Sequence, residues 1–269
     1  MADREIGFVI YEGPSSLDQA VDIAVIVTNV RGYRVTACSN RKTQDIAQTF
    51  ILPINLSPAI VAWTPGASYS VCGDCPLQAH YHSGGRTRLC YVNMAPVVKV
   101  WMAYREGRYV QTTPSCVNRA LRTYRKFHEG EQGIRGGAWG DPAAVPLMVW
   151  RHLMNEVDYR PMYTHQWRNL DPKTWGHWAM ASVETKADAA IAQAMGWRTF
   201  RVMSLSNPSL LPTEIMCPYM TPLQITCDRC GLCNGVRKNT LRPVKSIAVP
   251  VHGPARTMME KVLAGNASK

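Results

Sequence analysis

The sequence predicts an α/β fold, a (β/α) TIM-like barrel of irregular outline with two cysteine-rich metal-binding loops. Three observations predict it. The chain has 269 residues and is 46% apolar, enough for one large domain with a continuous core. Apolar, β-branched runs of strand length recur along it. From residue 134 onward they alternate with helix-like segments, which implies parallel strands joined by right-handed crossovers. A doubly wound open sheet is the alternative arrangement.

The valines and isoleucines within residues 21–30 form a buried strand, and Thr49–Ile54 and Ala59–Trp63 read as two more. Residues 64–93 hold Pro, Gly, Ser, His and three cysteines with little periodicity. A loop of about 30 residues is usually functional or held by something other than packing. Pro96–Glu106 and Pro114–His128 read as helices. Then come a strand at Ile134–Trp139, a helix at Pro142–Glu156, a strand near Pro161–His165 and another at Trp178–Val183. A helix at Thr185–Met195 ends at Gly196, and Arg198–Ser204 is again a strand. Ser246–Val251 is the last strand and Ala255–Ala264 the last helix. The whole chain, 1–269, reads as a single domain with cysteine-rich insertions at 64–93 and 205–243.

Thirty basic against 19 acidic residues give a formal charge of +11, which favours a polyanionic partner, nucleic acid ahead of an acidic membrane surface. Arg119, Arg122, Arg125 and Lys126 form a basic stripe at helical spacing, with Trp101, Tyr104, Tyr109 and Tyr124 nearby in sequence. Such a mixture suits phosphate contact and base stacking, or equally a solvated helix face. Ser39–Thr43 is a polar turn that could also meet phosphate. No run approaches the roughly 20 apolar residues of a membrane span, and the N-terminus is acidic where a secretory leader is basic. A cytoplasmic location with no membrane partner is expected. Nine cysteines in that compartment favour metal ligation over disulfides.

Cys227, Cys230 and Cys233 follow one another at two-residue gaps, with Cys217 upstream and His252 downstream. Three thiolates and His252 would make a closed zinc site, and Cys217 offers a four-thiolate alternative. Because Cys217 precedes a proline, the same spacing suits a [4Fe-4S] cluster. Cys72, Cys75 and Cys90 repeat the idea more loosely, with a fourth ligand from His80, His82, Cys116 or a non-protein group. An open iron position there would be reactive. Glu214 is a candidate partner behind the metal ligands. Cys38 and Cys116 otherwise read as ordinary buried or semi-buried thiols.

Strand ends supply the other candidates, because α/β active sites form where parallel strands finish. Gly136, Gly137, Trp139 and Asp141 close one strand, and Asp141-Pro142 also fits a helix cap. His165 closes the next, as an acid/base group or a hydrogen-bonded histidine. Glu184 closes a third, as nucleophile, general base or first-turn acid of the following helix.

Taken whole, the chain resembles a family of uncharacterised, mostly bacteriophage-encoded proteins of this size. The likeness lies in Ser39–Thr43, Cys72–Pro76, Cys90–Asn93, Gly140–Pro146, Tyr163–Trp167, Gly196–Val202 and the last cysteine loop with Val251-His252-Gly253. More distantly it resembles the tRNA-guanine transglycosylases and their DNA-directed phage relatives. Those are TIM barrels with a Gly-Gly base-binding strand end and a late three-cysteine, one-histidine zinc site, similar to Gly136–Asp141 and to Cys227, Cys230, Cys233 and His252. The resemblance implies zinc and exchange of guanine for a 7-deazaguanine base in DNA. Gly136, Gly137 and Trp139 would receive the base, Asp141 would bond its edge and Glu184 would attack the anomeric carbon. The chain departs from the family in its first cysteine gap, lacks an Asp-Ser-Gly-Gly-Phe segment, and has Ser182 and Glu184 where a nucleophilic Asp is expected. The Cys72 group has no equivalent in that family. An iron–sulfur redox or radical enzyme and a non-catalytic zinc protein that binds nucleic acid are the competing expectations.

Overall fold

The computed structural model describes residues 7–30, 41–44, 46–82, 85–127, 133–157, 159–236 and 244–266. Its strands are β1 (Phe8–Pro14), β2 (Asp22–Thr28), β3 (Ala47–Pro53), β4 (Ala79–His82), β5 (Gly85–Arg88), β6 (Val110–Gln111) and β7 (Ile134–Trp139). They continue with β8 (Tyr163–Thr164), β9 (Met180–Val183), β10 (Thr199–Met203), β11 (Glu214–Met216) and β12 (Ser246–Pro250). The helices are α1 (Pro58–Trp63), α2 (Tyr69–Cys72), α3 (Met94–Arg105), α4 (Pro114–Phe127), α5 (Leu147–Met154), α6 (Pro172–Trp175), α7 (Lys186–Ala194), α8 (Cys227–Cys230) and α9 (Arg256–Asn266). The fold is mixed α/β.

Strand β2 sits at the centre of its sheet, and its β-branched Ile23, Val25, Ile26 and Val27 are fully buried. The order is β6-β1-β2-β3-β7 in one sheet and β11-β12-β10-β9-β8 in the other. The two meet where Gly136 bridges Met162 in the parallel sense. There the Ile134 and Gly136 amides donate to the Tyr159 and Pro161 carbonyls at 2.9 and 3.0 Å. From β3 through β7 to β12 the strands are parallel. Among the described residues no pairing joins the outer strands β6 and β11.

Several sequence expectations change here. A (β/α) barrel implies parallel strands throughout, but β1, β2 and β3 are antiparallel. Only a short turn separates β1 from β2, and a parallel crossover needs a dozen or more residues. Ala59–Trp63 is helix α1 rather than a strand: Pro58 opens the first turn, and Pro58, Val61 and Ala62 form one buried stripe while Ile60 and Trp63 face outward. The expected helix over 142–156 is split. A 3-10 turn at Pro142–Ala144 comes first, and Val145, held extended before Pro146, separates it from α5. The 64–93 loop contains α2 and the β4–β5 hairpin. Strands β1 and β11 went unforeseen. Among the described residues no helix is long and apolar enough to cross a membrane.

Candidate active site and cysteine groups

Because β7, β8 and β9 are parallel neighbours, the segments that follow them emerge along one edge of the layer. They carry Asp141, His165 and Glu184. At the end of β7 the chain turns sharply, and its glycines are needed for that turn. Gly137 has φ +68°, and an added Cβ would lie 2.6 Å from the Gly140 carbonyl oxygen. A Cβ on Gly136 would meet Met162 Cε at 2.7 Å, so this residue lets β7 approach the β8 segment. Gly136 is packed against Met162, whereas Gly137 is among the residues that line the smaller cavity described below. Thr49 repairs the register shift between β3 and β7: its hydroxyl donates to the Arg135 carbonyl and accepts from the Gly137 amide, both at 2.8 Å.

Asp141 is buried and its carboxylate accepts three hydrogen bonds. Oδ1 accepts from the Ala143 amide at 2.9 Å and the Thr164 hydroxyl at 2.7 Å, and Oδ2 accepts from the His165 amide at 2.7 Å. Burial raises its carboxyl above the ordinary range, against the opposing pull of His165 and these donors. Asp141 thus caps the turn after β7 and fixes the end of β8, and it also lines the smaller cavity described below. His165 Nε2 lies 2.9 Å from Glu184 Oε1, with side chains 14% and 17% exposed. Burial alone would lower the imidazole, but the Cys75 thiol and Glu184 hold it well above its usual value. Glu184 is therefore an ion-paired carboxylate at a cavity wall and not a free first-turn acid.

Two adjoining cavities share this edge. The larger, about 570 Å³, is lined by His165, Glu184, Asp188, Asp74 and Arg168, with Met259 and Leu263 of α9 on one side. The smaller, about 70 Å³, is lined by Cys72, Cys75, Cys90, Tyr91, Arg135, Trp139, Asp141, Tyr163 and His165. The first cysteine group therefore opens into the site. Burial, with Cys75, Cys90 and Asp141 nearby, pushes the Cys72 thiol well up. Burial likewise raises Cys90, which has Arg88, Cys75 and His165 as neighbours. The imidazole that joins these thiols is His165, absent from the expected set of fourth ligands. His80 is exposed and lies against the Pro76 carbonyl. The His82 side chain falls outside the described residues. Cys116 is exposed on α4, contrary to the buried or semi-buried expectation, and Cys38 lies outside the described residues.

The second group is partly enclosed. Cys217 and Cys233 are buried, and Cys227 and Cys230 are half-buried; all four are free thiols. Burial pushes Cys233 up to about 12, with Cys217 and Cys227 adding to the rise and a Tyr163 hydrogen bond opposing it. Cys217 also acts on Cys227 and Cys230. Tyr159 and Tyr163 close over these thiols, and burial raises both phenols. Outside, the Cys227 amide donates to the Lys42 carbonyl at 2.8 Å. Arg198 of the strand β10 approach pins the loop, donating to the carbonyls of Leu232, Asn234 and Lys245. His252 does not join the thiols: its ring stacks on Tyr91 at 5.4 Å, and Nδ1 lies 3.0 Å from the Pro250 carbonyl. Burial and the Lys42 charge hold it down at about 4. Of the two candidate completions, Cys217 is the one that sits with Cys227, Cys230 and Cys233.

Among the described residues, no three His, Cys, Asp or Glu side chains stand close enough to hold a metal ion as they are. The donors are nonetheless of the right chemistry, soft thiols and an imidazole in two buried loops. Comparison with family models, curated proteins and solved structures finds no match. Site and function therefore rest on the residues themselves.

The other candidates are scattered. Glu214 is not behind a metal ligand but pairs in a fork with buried Arg201, at 2.8 and 2.7 Å. Arg119 and Arg122 are exposed on α4, and Arg122 pairs with Glu156 at 2.8 Å. The side chains of Arg125 and Lys126, and residues 39–40 of the Ser39–Thr43 turn, lie outside the described residues. Sequence reasoning missed Arg135 and Tyr91, and named Lys42 only as part of the Ser39–Thr43 turn. The signal for Arg135 was present, as a cation inside an otherwise apolar strand.

Proposed function

We propose that this chain is a metal-containing, nucleic-acid-modifying enzyme, with base exchange of the transglycosylase type as the specific reaction. The observation that carries this reading is the Glu184–His165 pair, at the wall of a cavity of about 570 Å³ where parallel strands end. Ligand sites commonly measure about 300–1,000 Å³, which accommodates a nucleoside. Asp74 and Asp188 on the same wall suit the donor edge of a guanine-type base. Glu184 would attack the anomeric carbon as the base departs, and a 7-deazaguanine base would resolve the covalent intermediate. The nucleotide must leave its stack, so single-stranded DNA is the first substrate to try. Barrel closure, which the resemblance implies, belongs to this proposal. So do the metals: Cys217, Cys227, Cys230 and Cys233 would hold a structural zinc, and Cys72, Cys75 and Cys90 with His165 a second centre.

The test is release of labelled guanine from single-stranded DNA on addition of a 7-deazaguanine base. Glu184→Gln should slow it by about 10²–10⁴-fold. Exchange at the wild-type rate in that variant, or none in the metal-loaded wild type, rejects the reading. An iron–sulfur redox enzyme is the second reading, favoured by the opening of Cys72, Cys75 and Cys90 into a cavity. It requires acid-labile sulfide in protein purified without oxygen.

A further inference from the structure

Arg135 has no part in the chemistry above, yet its setting is that of a ligand anchor. It lies on β7 between the two cysteine groups, and its side chain lines the smaller cavity beside Tyr91, Trp139 and Tyr163. The residue is half-buried, and its Nε is enclosed without a hydrogen-bond partner. Among the described residues the guanidinium has no ion-pair partner either, whereas Arg198 and Arg201 have their donors engaged. An enclosed cationic donor without an acceptor is costly to keep unless something supplies the acceptor.

The geometry points to a small oxyanion, a phosphate or carboxylate group, bound by Arg135 inside the smaller cavity. The planar fork of a guanidinium presents two parallel donors to such a group. The size agrees. One water needs about 10–15 Å³ of such space, so about 70 Å³, part of which a centre on Cys72, Cys75 and Cys90 would fill, holds a group of a few heavy atoms and not a nucleoside. The adjoining larger cavity would then take the rest of a small molecule whose acidic end reaches Arg135. A backbone phosphodiester, flanked by two sugars, does not fit so narrow a space. Oxyanion binding here does not require base exchange, and a failed exchange assay leaves it standing.

The experiment is isothermal titration of the metal-loaded protein with potassium phosphate and, separately, sodium acetate at constant ionic strength. Saturable binding of at least one is expected, and the arm that titrates names the acidic group. Arg135→Gln should weaken it by about tenfold or more, and Arg135→Lys, which keeps the charge but not the fork, by less. Metal content and melting temperature should stay at wild-type values in both variants, because the guanidinium bonds to nothing that holds the fold. No saturable binding in the wild type, or unchanged binding in Arg135→Gln, overturns the assignment. So does loss of metal or of folding in both variants, which would make Arg135 the counter-charge of the thiolate centres.

Discussion

The two cysteine groups differ in a way that their spacing conceals. The compact run Cys227, Cys230, Cys233 looks the more purposeful, yet it lines neither cavity: Tyr159 and Tyr163 lie against it, Arg198 pins its loop, and only Cys233 of the three is buried. The looser set, Cys72, Cys75 and Cys90, lines a cavity with Asp141, Arg135 and His165. Tight spacing brings thiols together from one short loop, which is what a structural staple needs. A reactive centre needs an open side, and that comes from other elements: here the ends of β7 and β8. The comparison teaches that exposure to a cavity, which spacing does not reveal, is what would separate a reactive centre from a structural one.

The contrast breaks most clearly at the thiols. Structural thiolate–zinc sites bind with about 10–16 kcal/mol in small peptides. Cys233→Ser should therefore abolish the cooperative thermal transition, while Cys90→Ser leaves the melting temperature within a few degrees and removes activity. Equal losses of stability in the two would erase the distinction. Next in size is the buried pair of Arg201 on β10 and Glu214 on β11. Glu214→Ala leaves Arg201 uncompensated and should cost about 3–5 kcal/mol in denaturant unfolding.

A smaller effect tests the first group. Thr164→Val removes the hydroxyl that donates to Asp141 Oδ1 at 2.7 Å and should cost about 1–3 kcal/mol. It should lower the exchange rate as well, since the same carboxylate holds the His165 amide. The mildest test concerns His252. Its imidazole titrates near 4 in the fold, against about 6.5 in the unfolded chain. The unfolded state binds the extra proton between these values, so the His252 contribution is complete above about pH 6.5 and is lost as pH falls toward 4. His252→Gln should flatten that stretch of the stability profile and leave metal content unchanged. Cys217→Ser should reduce the metal content.

The parallel half of the fold was legible because its strands are apolar, β-branched and bounded by clear stops; Ile134–Trp139 matches β7 residue for residue. In the antiparallel start β2 and β3 were legible and β1 was not, because its short apolar run Phe8–Tyr11 gives way at once to Glu-Gly-Pro. Helix α1 was misread because Ala-Ile-Val-Ala-Trp suits a strand until Pro58 is taken as a first-turn residue. At the site, Asp141, His165 and Glu184 were legible as strand-end residues. Their partnership was not, since hydrogen bonds across 24 and 19 residues leave no local trace. The choice between Cys217 and His252 was open for the same reason: both are equally plausible by spacing, and only the stacking of His252 on Tyr91 separates them.

The most direct measurement is metal and sulfide content, with an absorption spectrum, on anaerobically purified wild type, Cys90→Ser and Cys233→Ser. Two inorganic centres per chain are predicted in the wild type, with each substitution removing one and only Cys233→Ser losing the thermal transition. A wild type without stoichiometric metal, or a single substitution that empties both groups, would contradict the account.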